Sequence, residues 1–133
     1  MGDESAIRRE GLGTDDNGEA LTYEMAVLAA RAAGEMFARD VTIIDLRELV
    51  SYTDYFVVAS AETERQTRRV AEEVIEKMID KGHRPRSKRL DEGTSWISLD
   101  FVDVVVHVFT DEARDYYRLE SLWRSAPQER LEG

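Results

Sequence analysis

The chain has 133 residues, of which 42% are hydrophobic, enough for one domain around one core. It contains no cysteine, which excludes disulfides and thiolate metal sites, and no apolar run approaches the roughly 20 residues needed to span a bilayer. The formal net charge of −10 repels nucleic acid phosphates and favours a basic partner.

Residues 1–20 are rich in Gly, Asp and Glu and poor in apolar side chains, so they read as a disordered acidic tail. The opening Met1-Gly2-Asp3-Glu4-Ser5 has neither the basic start nor the apolar stretch of a signal peptide, and a cytoplasmic location is the simplest reading. Leu21 to Ala38 is expected to be a helix with Thr22 as its N-cap. Its Ala26, Ala29, Ala30, Ala33 and Phe37 recur at helical spacing. The β-branched run Val41 to Leu46 predicts a strand, and Asp54 to Ser60 a second. Thr63-Glu64-Arg65-Gln66 has the form of a capping box. The helix it opens carries Val70, Ala71, Val74, Ile75 and Met78 on one side, and Gly82 ends it. Pro85 marks the next strand as an edge. Ser95 to Leu99 and Val104 to Phe109 are two more strands. Thr110 or Asp111 then caps a C-terminal helix reaching toward Pro127. Tyr116, Leu119 and Trp123 would form one stripe of it, packing on the sheet or on a second subunit. This order predicts an α/β fold: one mixed sheet of about five strands flanked by helices. The domain would span residues 21–127, with a C-terminal tail over 128–133.

The last two strands are expected to pair as a hairpin turning at Phe101-Val102, with Asp100 opposite Asp103 and Trp96 opposite His107. Alternation then divides the side chains. Ile97, Leu99, Val104, Val106 and Val108 form a core face. Trp96, Ser98, Asp100, Asp103, Val105 and His107 form the other. One large aromatic among acids is the composition of a binding surface; the alternative is an aromatic at the rim of the sheet. A metal site is not expected, because Asp103 and His107 lie about 13 Å apart along one strand face. Ser60 stands between a strand and a helix, but Ala59 and Ala61 replace the glycines of a nucleophile elbow. Arg84, Arg86 and Lys88 alternate along the predicted edge. They read as charges that block edge-to-edge pairing, or as a contact to RNA phosphates.

Three segments carry a family resemblance. They are Ser51-Tyr52-Thr53-Asp54-Tyr55-Phe56-Val57-Val58-Ala59-Ser60, then Trp96 to Phe109, then Arg114, Tyr116 and Tyr117 with Leu119-Glu120-Ser121-Leu122-Trp123. In this order and spacing the chain resembles the ribosomal silencing factor, or Iojap-like, family over roughly Leu21 to Pro127. The resemblance implies a nucleotidyltransferase-like scaffold without its active site, no cofactor and no catalysis. It implies a translational repressor that binds the large ribosomal subunit at large-subunit ribosomal protein number fourteen and blocks joining of the small subunit. Trp96, Asp100, Phe101 and Asp103 fall on the family's partner-binding positions, and a homodimer is implied. Val102 departs from the family pattern, which commonly has Gly or a polar residue at this turn position, and a β-branched residue resists the positive φ of a two-residue turn. The alternative function is a nucleotidyltransferase-like, nucleotide-binding enzyme.

Overall fold

The computed structural model describes residues 14–91 and 93–131. Helix α1 (Thr14–Glu35) lays five buried alanines, Ala26, Ala29, Ala30, Ala32 and Ala33, on the sheet. Side chains this small let helix and sheet backbones approach closely. The helix starts well before Leu21, so Thr22 is inside it and does not cap it. Residues 14–20 are helical where a tail was expected, and residues 1–13 lie outside the described residues. Past Glu35 the Phe37 N–H bonds the Gly34 carbonyl at 2.9 Å and the Ala38 N–H bonds that of Ala33 at 3.1 Å. Phe37 adopts φ +67° to do this, in a conformation usually left to glycine.

Strand β1 (Arg39–Asp45) pairs antiparallel with β2 (Tyr55–Ala61). Every residue of β2 is buried, as a central strand covered on both faces requires. Helix α2 (Glu64–Asp80) begins at the expected box: the Thr63 hydroxyl accepts from the Gln66 N–H at 3.1 Å. The Gln66 carbonyl oxygen reaches back to the N–H of Glu62 rather than Thr63. Its amide nitrogen also donates to the carbonyls of Met36 and Phe37, tying the two helix ends together. At the far end Gly82 takes φ +89°, its N–H bonds the Ile79 carbonyl, and His83 bonds that of Met78. This double closure satisfies carbonyls that the last turn would leave open.

Strands β3 (Ser87–Asp91), β4 (Trp96–Asp100) and β5 (Val104–Thr110) follow. The sheet order is β3-β4-β5-β2-β1-β6. Only β2 and β5 run parallel among these neighbours. As Pro85 suggested, β3 is the edge. The other edge is β6 (Gln128–Arg130), placed where a C-terminal tail was expected, so the sheet has six strands rather than about five.

One sheet face packs Val57, Ala59, Ile97, Leu99, Val104, Val106 and Val108 under α1 and α2. The opposite face holds a smaller core of Ile44, Leu46, Phe56, Val58, Phe109, Ala113 and Ala126. Its cover is α3 (Asp111–Tyr117) and the single turn α4 (Leu119–Leu122). Thr110 caps α3 through the Ala113 N–H, but the expected long C-terminal helix breaks at Arg118, which adopts φ +49°. The break scatters the expected stripe. Tyr116 is 79% exposed, while Trp123 lies edge-to-face with Phe56.

Candidate docking face

The face opposite α2 is built on β4 and β5. Trp96 pairs with Phe109, Ser98 with His107 and Asp100 with Val105. The register therefore differs by two residues from the one expected, and the turn is longer than Phe101-Val102. Because side chains alternate with period two, an even shift leaves each one on its predicted face. Ile97, Leu99, Val104, Val106 and Val108 are all fully buried on the α2 side.

The extra residues of the turn are held tightly. The Phe101 N–H bonds the Val104 carbonyl at 2.8 Å, and the Asp103 N–H bonds the Phe101 carbonyl at 3.0 Å. The second bond closes a three-residue γ-turn around Val102, at φ +75°. One Asp100 carboxylate oxygen accepts from the Val102 N–H and the other from Arg86, both at 2.7 Å. The Asp103 carbonyl accepts from the N–H groups of Asp54 and Tyr55, joining the turn to β2. Asp100 is therefore a turn-forming residue first. Phe101, expected to be presented at the turn, is instead only 4% exposed and sits in the larger core. Val102 and the Asp103 side chain remain exposed.

Trp96 is half-buried. Its ring stacks on Phe109 and tilts against Tyr117, each at 4.9 Å between centroids, and its indole N–H donates to His107 Nδ1 at 3.1 Å. Burial of His107 pushes its pKa down to about 4. The ring is neutral at pH 7, and with Nδ1 accepting, its proton resides on Nε2. That Nε2 group and the Trp123 indole N–H are both buried without a hydrogen-bond partner among the described residues. Both rings meet Phe56 edge-to-face, His107 at 4.5 Å and Trp123 at 6.2 Å. The Ser98 hydroxyl lies 3.4 Å from His107 Nδ1. A histidine this weakly basic, already bonded to Trp96, is a poor general base at neutral pH.

The remaining sequence candidates separate. Arg84, Arg86 and Lys88 are exposed along the β3 edge, and Arg86 is tied to Asp100. Ser60 is buried and accepts from Arg114 Nη1 at 2.8 Å. Arg114 also bonds the Asp40 carbonyl at 2.7 Å and Glu120 at 2.7 to 2.8 Å. It fastens α3 and α4 to β1 and β2. That role was invisible in the sequence, where Asp40 stands 74 residues away. The cover that Tyr117 gives Trp96 was equally hidden by the expectation of an unbroken helix. Among the described residues no group of three or more His, Asp or Glu could hold a metal ion, and no helix is long and apolar enough to cross a membrane.

A family model described as "Ribosomal silencing factor during starvation" matches residues 19–133. The chain belongs to the ribosomal silencing factor family. Membership implies ribosome-associated regulation of translation. The chain is similar to the ribosomal silencing factor of Halalkalibacterium halodurans, at 34% identity over 112 residues, covering 83% of this chain and 94% of that protein. It is 36% identical over 115 residues to the chloroplastic Iojap protein of Zea mays, covering 84% of this chain and 48% of that one. A mouse relative is named mitochondrial assembly of ribosomal large subunit protein 1; it is 30% identical over 89 residues, covering 65% of this chain and 39% of that protein. A crystal structure of a Chromobacterium violaceum protein superposes with a TM-score of 0.75 at 29% identity, covering 84% of this silencing factor chain and 93% of that one.

Proposed function

We propose that this silencing factor is a translational repressor that docks on the large ribosomal subunit. Its site there would be large-subunit ribosomal protein number fourteen, and its bulk would block the approach of the small subunit. No catalytic turnover is involved, and the protein acts in the cytoplasm as a homodimer. The observation that carries the reading is the β4–β5 face. It combines a half-buried Trp96 with a braced turn exposing Val102 and Asp103, in a family named for ribosomal silencing. An aromatic anchor beside a polar rim is the usual anatomy of a protein-binding patch. The net charge of −10 suits a basic partner. Phe101 acts from inside the core by setting the turn, and Asp100 acts by bracing it. Arg84, Arg86 and Lys88 on the adjacent edge contact ribosomal RNA. The name of the mouse relative supports the large subunit over the small one.

Nucleotidyl transfer would need closely spaced Asp carboxylates to hold magnesium and the triphosphate, whereas Asp100 is committed to the Val102 N–H and to Arg86. The deciding experiment is co-sedimentation of the pure protein with isolated large and small subunits, followed by a subunit-joining assay. The reading expects binding to large subunits alone and dose-dependent loss of joining. Binding with undisturbed joining would overturn the steric mechanism; no binding at low salt would overturn the docking itself.

A further inference from the structure

β2 and β5 lie side by side and run parallel. Each leads directly into a helix, β2 through the Thr63 cap into α2 and β5 through the Thr110 cap into α3. The two helices pack on opposite sheet faces. Val70 and Val74 of α2 join the larger core, while Ala113 of α3 joins the smaller one with Phe56 and Val58. Adjacent strands whose chains depart to opposite faces make a topological switch point. In open α/β sheets the crevice outside such carboxyl ends is where ligands bind. A cavity of about 510 Å³ lies at this place, a size suited to a small molecule. Ser60 from the end of β2 and Asp111, directly after β5, both line it, with Arg39, Arg114, Arg118 and Arg130.

We propose that this crevice binds a phosphorylated small molecule of nucleotide size, gripped through its diphosphate group. Four arginines line it beside four carboxylates, Asp40, Asp111, Asp115 and Glu120, in a chain whose net charge is −10. Arg114 forms a fixed floor, its guanidinium held by Glu120, Ser60 and the Asp40 carbonyl. Arg39 and Arg130 form the movable rim, with side chains 54% and 63% exposed. Their present partners are the carboxylates of Asp111 and Asp40, the latter 3.6 Å from Arg130. Exposed pairs of this kind are weak. A diphosphate offers each arginine a bidentate, more highly charged acceptor, so it can displace the carboxylates. Asp40, a lining residue, holds a left-handed φ of +50° without being glycine. Strain of this kind is concentrated at binding and switch sites.

The test is an NMR titration of the full chain with pyrophosphate, ATP and adenosine, at low and constant ionic strength. Pyrophosphate and ATP are expected to saturate with dissociation constants below about 1 mM. The shifted amides should be those of residues 39–40, 60, 111–121 and 130. Adenosine alone should shift nothing. Arg39→Gln with Arg130→Gln should weaken pyrophosphate at least tenfold while leaving large-subunit co-sedimentation unchanged. Ser121→Asp, at an exposed lining position, places a carboxylate at the rim without removing an arginine and should weaken it similarly. Shifts that fail to saturate, that centre on Arg84 to Arg89, or that persist in both variants would overturn the site. So would saturable binding of adenosine, or loss of ribosome binding together with phosphate binding.

Discussion

His107 is neutral because burial removes the water that would stabilise its cation. Its pKa is about 4 folded against about 6.5 for an unfolded chain. Between those values the unfolded state holds the extra proton, so stability falls as pH drops from 6.5 toward 4. The difference corresponds to about 3 kcal/mol. Denaturant unfolding of native protein and His107→Gln at pH 7 and pH 4.5 isolates it, since the other titrating groups are common to both. The variant should lose markedly less stability on acidification; parallel losses would mean that His107 is not the titrating group. Trp96 couples the same histidine to the proposed docking face. An isolated strand suggests that Trp96→Ala spares the fold, but the stacking on Phe109 and Tyr117 predicts a stability loss of about 2 kcal/mol. Trp96→Phe keeps a ring against Phe109 and Tyr117 but loses part of the indole's area and its bond to His107. If docking uses the indole, Trp96→Phe should weaken large-subunit binding while costing about 1 kcal/mol or less of stability. Equal binding by native protein and Trp96→Phe would assign the indole to packing alone.

At the level of elements, the ends were more predictable than the lengths. The Thr63 cap and the Gly82 terminator are local events, each completed within a few residues. The end of α1 uses the same terminating geometry with Phe37, 78% exposed and left-handed. Its side chain gains little burial to offset the conformational cost, so Phe37→Gly should raise stability by about 1 kcal/mol. A melting curve reads this directly, and an unchanged or lower midpoint would show that Phe37 has a compensating contact. The C-terminal segment was misread for the converse reason. Thr110 to Trp123 has helical composition, yet Arg118 turns left-handed and Arg114 clamps Glu120. β6 has three exposed residues and no alternating pattern of its own. It is a strand because β1 offers it an open edge, and Tyr23 on α1 reaches across to Glu129 with a 2.6 Å hydrogen bond.

Across the whole molecule, the excess negative charge should steer encounter with a basic partner rather than set final affinity. The two turn acids now separate. Asp103→Asn removes an exposed charge and should slow association at low salt with melting unchanged. Asp100→Asn breaks the pair with Arg86 and should lower stability as well. Stopped-flow mixing with large subunits at two salt concentrations, beside melting curves, reads both; an unaltered Asp103→Asn rate would remove electrostatic steering. The sequence by itself determined the α/β class, the order of the main elements and which side chains of β4 and β5 share a face. These follow from composition and from a period of two, which even a two-residue slip in register preserves. Tertiary structure alone decided that slip, the turning-in of Phe101, the break at Arg118, the sixth strand and the crevice around Arg114. Each depends on partners such as Asp54 for Asp103, or Asp40 for Arg114, that stand far off along the chain. Local propensity contains no information about groups that meet only when the sheet has assembled.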